Sequence, residues 1–138
     1  MRKLIFTCFG FILFSCSKSN ETTKDVFVKT ETKSKGVLDC KQTSFYAGKI
    51  KTGQPIGHTF SFRNIGTAPV IILEKTMSCN CTHLKTSLDT IQPNEITYLN
   101  VKIDTKDKKP GKGEATITVK TNGSRKFYLL EVTFDLIE

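Results

Sequence analysis

The chain has 138 residues, a formal net charge of +8, five cysteines and no tryptophan. That length accommodates one ordinary domain and not two, and a hydrophobic fraction of 38% excludes wholesale disorder. The charge divides into +2 over residues 1–15, +2 over 16–36 (five lysines, three acids) and +4 over 37–138 (fourteen basic, ten acidic). With no aromatic platform interleaved among the basic residues, this mild excess argues against a nucleic-acid partner.

Arg2 and Lys3 precede an apolar run of eleven residues, Leu4 to Phe14. Such a run suits the hydrophobic region of a signal peptide and falls short of the about 20 residues that span a bilayer. It ends in Leu13-Phe14-Ser15-Cys16, which resembles a bacterial lipoprotein signal. In that family a small residue precedes a cysteine that is diacylated, and the chain is then cut just before it. Leu13, Ser15 and Cys16 match the pattern, whereas Phe14 departs from the small or β-branched residue usual there. The resemblance implies a signal peptide over 1–15, lipidation of Cys16 by acyl chains such as palmitate, and a mature chain of 123 residues. More than one acyl chain gives stable anchoring, at about 0.8 kcal/mol per buried methylene. Ser17-Lys18 lacks the aspartate associated with inner-membrane retention, which points to the outer membrane, facing the periplasm or the cell surface. A plain secretory peptide with an incidental cysteine is the competing reading.

After Cys16, the stretch to Gly36 is rich in Lys, Thr, Ser, Glu and Asn, with Val26-Phe27-Val28 its only apolar cluster. It reads as a flexible tether with an r.m.s. reach of roughly 25 Å, unless 26–28 docks as a short extra strand. Residues 37–138 read as strands punctuated by turn chemistry. Ile56, His58, Phe60 and Phe62 alternate with Gly57, Thr59, Ser61 and Arg63, the period of a half-buried strand. Asn64-Ile65-Gly66-Thr67-Ala68-Pro69 breaks it, and Val70-Ile71-Ile72-Leu73 begins another. Leu99, Val101 and Ile103 share a face, and a basic loop from Lys106 to Gly113 carries Pro110-Gly111. Ala115, Ile117 and Val119 follow, and Asn122-Gly123 signals a hairpin before Phe127 to Leu136. No helical period appears. About seven strands in a hundred residues predict an all-β fold, a single immunoglobulin-like β-sandwich over 37–138.

The order of several short motifs within this domain is distinctive. Phe45-Tyr46-Ala47-Gly48-Lys49-Ile50, Gly53-Gln54, His58-Thr59-Phe60, Asn64-Ile65-Gly66, Ser78-Cys79-Asn80-Cys81-Thr82, Pro93-Asn94-Glu95 and Thr121-Asn122-Gly123 run in sequence. Together they resemble the bacterial envelope family catalogued as domain of unknown function 1573, over about 90 residues. The Ser-Cys-x-Cys-Thr pentapeptide is the most specific element. The family usually has glycine between the cysteines where this chain has Asn80, the residue that best replaces glycine at positive φ. The resemblance implies an exported immunoglobulin-like domain and no established activity.

Chemistry concentrates between Met77 and His83, where Met77, Cys79, Cys81 and His83 occupy alternate positions. Thioether, thiolate and imidazole favour Cu(I) or Zn(II). On a flat strand, however, the outermost pair would lie roughly 20 Å apart, so only neighbours share an ion unless the chain bends at Asn80. The competing use is a disulfide, because export exposes Cys40, Cys79 and Cys81 to an oxidising compartment. Cys40 bridged to Cys79 or Cys81 would close about 40 residues, stabilising by roughly 3–4 kcal/mol. A Cys79–Cys81 bridge requires a bend, and an unpaired cysteine would leave a thiol suited to exchange. There is no Cys-x-x-Cys, no acid–base pair and no phosphate loop. Lys106, Lys108, Lys109 and Lys112 make a basic loop, read as a solvated tip or as a feature drawn to anionic lipid or polysaccharide.

The expectation is therefore a lipid-anchored outer-membrane protein presenting a non-enzymatic binding or structural module without a cofactor. Its partner would be an envelope protein or polysaccharide. Copper or zinc binding through Cys79, Cys81, His83 and Met77, or thiol–disulfide exchange, are the alternatives.

Overall fold

Alternating burial along the strands builds the molecule. In β3 (Ile56–Asn64), Ile56, Phe60, Phe62 and Asn64 point inward, and in β7 (Ile96–Ile103), Thr97, Leu99, Val101 and Ile103 do the same. The computed structural model describes residues 34–138, in which nine strands form two sheets. The signal peptide, Cys16 and the segment 26–28 lie outside the described residues.

The remaining strands are β1 (Leu38–Asp39), β2 (Ser44–Lys51), β4 (Val70–Met77), β5 (Thr82–Thr86), β6 (Thr90–Ile91), β8 (Gly111–Thr121) and β9 (Phe127–Ile137). One sheet runs β1-β3-β7-β5 and the other β2-β9-β8-β4-β6. This is an immunoglobulin-like sandwich, with the seven longer strands in the number expected and two two-residue strands besides. All pairings are antiparallel except β2 with β9, which run parallel with a bulge between Tyr46 and Lys49. The first strand β1 thus forms an edge of one sheet, and the chain crosses to form an edge of the other as β2.

Phe60, Phe62, Leu99, Ile103, Ile117, Val119, Leu130 and Phe134 fill the space between the sheets. Gly113 is required there, since a Cβ would stand 2.2 Å from the Phe134 ring. The β8–β9 hairpin falls where Asn122-Gly123 predicts it. Its loop spans Asn122 to Lys126, closed by Thr121 N–H donating to the Lys126 carbonyl at 2.8 Å, rather than a two-residue turn. Gly123 lies against the Gly36 carbonyl, and Ser124 N–H donates to that carbonyl at 2.8 Å. Lys35 and Gly36, compositionally part of the tether, are therefore bonded into the sandwich.

His58 is the one inward position occupied by a titratable group along β3. Its ring stacks on Phe45 at 3.8 Å and meets the edge of Phe60 at 4.6 Å, and its Nε2 is buried without a hydrogen-bond partner. Burial disfavours the imidazolium and holds its pKa below the ordinary 6.5. The unfolded chain therefore takes up a proton first as pH falls. The contribution of neutral His58 is complete above about pH 6.5 and is lost on acidification through that value towards the lower folded one. Urea midpoints should fall between pH 7.5 and pH 5, and His58→Leu should flatten that slope. An unchanged slope in the variant would assign it to another group.

Candidate functional site

The Ser78–Thr82 motif sits where the chain passes from one sheet to the other. β4 belongs to the five-stranded sheet and ends at Met77; β5 belongs to the four-stranded sheet and begins at Thr82. Between them Thr82 N–H donates to the Cys79 carbonyl at 3.1 Å, closing a turn over Asn80 and Cys81. Ser78 is tied to β8 in both directions: its N–H donates to the Thr116 carbonyl and its Oγ accepts from Thr116 N–H, each at 2.9 Å. The Cys81 carbonyl accepts from Asp104 N–H at 2.8 Å. Asn80 achieves this bend without positive φ; among the described residues the only non-glycine with positive φ is Asn94, at 68°.

The bend brings the Cys79 and Cys81 Cα atoms to 5.1 Å, and the two sulfurs are bonded to each other. Cys81 N–H donates to Cys79 Sγ at 3.2 Å, and Lys108 Nζ approaches the same sulfur at 3.7 Å. Cys79, Asn80, Cys81, His83, Asp104, Asp107 and Lys108 line an open cleft of about 440 Å³. Lys108 was visible in the sequence only as one charge in a basic loop. Nothing in its spacing from Cys79 signals that the β7–β8 connection folds back over the corner.

This geometry follows the bent alternative rather than the flat strand. Met77, Cys79, Cys81 and His83 do not share one strand face, because the turn separates the first from the last. Met77 pairs with Ile117 at the end of β4 and does not line the cleft. With both sulfurs joined, neither is a thiolate ligand. Among the described residues no cluster of three or more His, Cys, Asp or Glu is arranged to hold a metal. His58 faces the core against Phe45, while His83 is exposed on β5.

Bridges from Cys40 are excluded by register. Cys40 follows Asp39, which pairs with Arg63, whereas Thr82 pairs with Ile103 and Ile103 with Ile56. Arg63 and Ile56 are seven residues apart on β3, roughly 23 Å, and a disulfide tolerates about 7 Å between Cα atoms. Cys40 is a free, half-buried thiol that donates to the Gln42 carbonyl. Burial pushes its pKa above the ordinary value.

A second feature lies on the outer face of the five-stranded sheet. Phe127 and Leu129 project from β9 and are 56% and 59% exposed; Ile71 and Leu73 on β4 are 40% and 56% exposed. Lys120 stands between them, opposite Phe127 on one side and Glu74 on the other. Two strand spacings, about 10 Å, separate the β4 and β9 groups. The sequence carries a signal for this face. Val70-Ile71-Ile72-Leu73 and Phe127-Tyr128-Leu129-Leu130 are apolar without alternation, so in a two-layer fold half of each must point away from the core.

A family model described as protein of unknown function (DUF1573) matches residues 38–135. The chain belongs to the DUF1573 family. Among solved structures, a protein of unknown function from Porphyromonas gingivalis W83 superposes with a TM-score of 0.66 at 20% identity, covering 73% of this chain and 47% of that one. The present chain thus spans about half the length of that protein. A family 123 glycoside hydrolase from Clostridium perfringens follows at 0.60 and 13% identity, covering 70% and 23%. A human PapD-like domain of CEP192 gives 0.56 at 10% identity, covering 75% and 87%. At these identities the likeness concerns the fold alone. A search of curated proteins finds no match.

In this DUF1573 domain the motif cysteines and the Asn64-Ile65-Gly66 turn occupy opposite ends of the sandwich. Alkylation of folded, unreduced protein should label Cys40 alone among the domain cysteines, slowly at neutral pH and faster on alkalinisation. After reduction, Cys79 and Cys81 should label as well. Intact mass reads the difference, and an unlabelled Cys40 that appears only on reduction would contradict the pairing.

Proposed function

We propose that this DUF1573 protein is a recognition module rather than an enzyme, held at the outer membrane through acyl chains on Cys16 and facing a partner protein with its five-stranded sheet. The observation that carries the reading is the cluster of Ile71, Leu73, Phe127 and Leu129 on one outer face. Exposed apolar groups gathered on one surface, here two pairs flanking Lys120, are characteristic of interaction sites. Three of the four are aliphatic, which suits the apolar core of a protein interface. A polysaccharide would favour flat aromatic rings among hydrogen-bonding groups. The opposite outer face carries Thr59, Ser61, Asn100 and Lys102, with Tyr98 and Ile96 as its apolar members.

The anchoring half of the proposal rests on the lipoprotein-like Leu13-Phe14-Ser15-Cys16 sequence and on the polar stretch that follows it. A tether of that composition lets the domain reach partners a few tens of ångströms from the membrane.

In cells that make the protein, Cys16→Ala should shift it from the membrane to the soluble envelope fraction; retention in the membrane would count against lipidation. A photo-crosslinker at Leu129 should give a protease-sensitive adduct, lost when Phe127→Ser is added. The same crosslinker at Thr59 should give none. Equal adducts from both positions, or a protease-resistant adduct at Leu129, would overturn the assignment of a protein partner to this face.

A further inference from the structure

We propose that the Cys79–Cys81 disulfide is a reversible thiol-exchange site, with Cys79 as the leaving sulfur and Lys108 as the residue that stabilises its thiolate. The proposal goes beyond recognition by the sheet face and does not depend on it.

Two observations separate this bridge from a structural staple. A disulfide stabilises a fold chiefly by closing a long loop in the unfolded chain, and this one encloses a single residue, Asn80. The corner is already held without it. The Cys79 carbonyl bonds Thr82 N–H, the Cys81 carbonyl bonds Asp104 N–H, and Ser78 is fixed to Thr116 on both its N–H and its Oγ. The bridge therefore adds little constraint of its own. It also lies in an open cleft rather than between the sheets, accessible to a thiol carried by another molecule.

The surroundings of the two sulfurs differ. Cys79 Sγ receives the Cys81 backbone N–H at 3.2 Å and lies 3.7 Å from the Lys108 ammonium. Both donors favour negative charge on that atom, as lysines and backbone amides do at reactive cysteines. Cys81 packs partly against the hydrophobic core, and its Sγ has the Thr82 hydroxyl at 4.0 Å. Asp104 and Asp107 also line the cleft and offset part of the Lys108 charge, but neither is among the hydrogen-bond partners of Cys79. In thiol exchange the sulfur better able to bear charge leaves faster.

The partner is a dithiol, such as a reduced cysteine pair on an envelope protein. Its first thiolate attacks Cys81 Sγ, forming a bond from partner sulfur to Cys81 as the Cys79–Cys81 bond breaks. The electron pair of that bond leaves on Cys79, which rests as a thiolate against Lys108. The partner's second thiolate then attacks its own bridged sulfur and releases Cys81. The partner is oxidised by two electrons to a disulfide, the domain is reduced to two cysteines, and the partner's protons pass to the released thiolates. An oxidised partner runs the same steps in reverse.

The test uses the full chain in detergent with glutathione as the probe. Folded protein in 10 mM reduced glutathione should lose the bridge within minutes, and acid-quenched peptide maps should place the transient glutathione adduct on Cys81. Reduction should leave the strand-rich circular dichroism spectrum unchanged. In the reduced protein, absorbance of thiolate near 240 nm should reveal one cysteine titrating below the ordinary range, absent in Cys79→Ser. Lys108→Gln should slow reduction by about threefold or more and move that titration upward, with Lys108→Arg restoring both. A bridge that resists glutathione in the folded state would overturn the proposal. So would an adduct on Cys79, or a Lys108→Gln variant with unchanged rate and titration.

Discussion

Asn64 ends β3 with its side chain fully buried, where an amide left without partners would cost about 1–3 kcal/mol. Every site on it is used. Its Nδ2 donates to the Ala68 carbonyl at 2.8 Å and to the Ile91 carbonyl at 2.9 Å, and its Oδ1 accepts from Gly66 N–H at 3.0 Å and Val37 N–H at 3.3 Å. Its backbone adds Glu95 and Asn94 as partners. One residue thereby fixes the entry of the chain into β1, the turn between β3 and β4, the edge strand β6 and the approach to β7. Such a network is worth having only when complete, which makes this end of the sandwich rigid in a way that apolar packing alone would not. Because Asn64 belongs to the four-stranded sheet and Ile91 to the five-stranded one, this side chain ties the two sheets directly at this end.

The strands were legible because the core imposes a strict period of two on β3, β7 and the inward positions of β8. Asn64-Ile65-Gly66 was legible as a break, although sequence alone does not say that the asparagine faces inward and holds the turn rather than merely ending the strand. The Met77–His83 stretch reads equally as a strand or as a bend, because alternating side-chain types imitate strand alternation. What decides for the bend is tertiary. Ser78 completes its pairing with Thr116 in one sheet and Thr82 starts pairing with Ile103 in the other, so the intervening residues must turn. Neither partner is adjacent in sequence. The same limit applies to the parallel pairing of β2 with β9, which joins segments more than eighty residues apart.

The outer sheet face illustrates a different limit. Non-alternating apolar runs state that some side chains must face outward, but burial within a domain and burial against something else leave the same mark on a sequence. Only the assignment of Ile72, Tyr128 and Leu130 to the core releases Leu73, Phe127 and Leu129 to the surface. Tyr128 is decisive here: its hydroxyl donates to the Leu38 carbonyl at 2.7 Å and Arg125 lies over its ring at 4.7 Å. That anchoring fixes the register of β9, and a slip of one residue would exchange the buried and exposed sets.

The two ends of the sandwich consequently carry different duties. Lys35 and Gly36 enter beside the Asn122–Ser124 turn, at the end where Asn64 and Cys40 lie and where the exposed apolar cluster begins. The disulfide corner, the β7–β8 connection with Lys108 and the last residues of β9 lie at the other end, since Met77 pairs with Ile117 and Gly111 with Leu136. The corner keeps its own hydrogen bonds when the bridge opens, and none of them involves Asn64. Separating the bridge from Asn64 by the length of β3 lets the corner exchange its sulfur bond while the far network keeps the sheets in place.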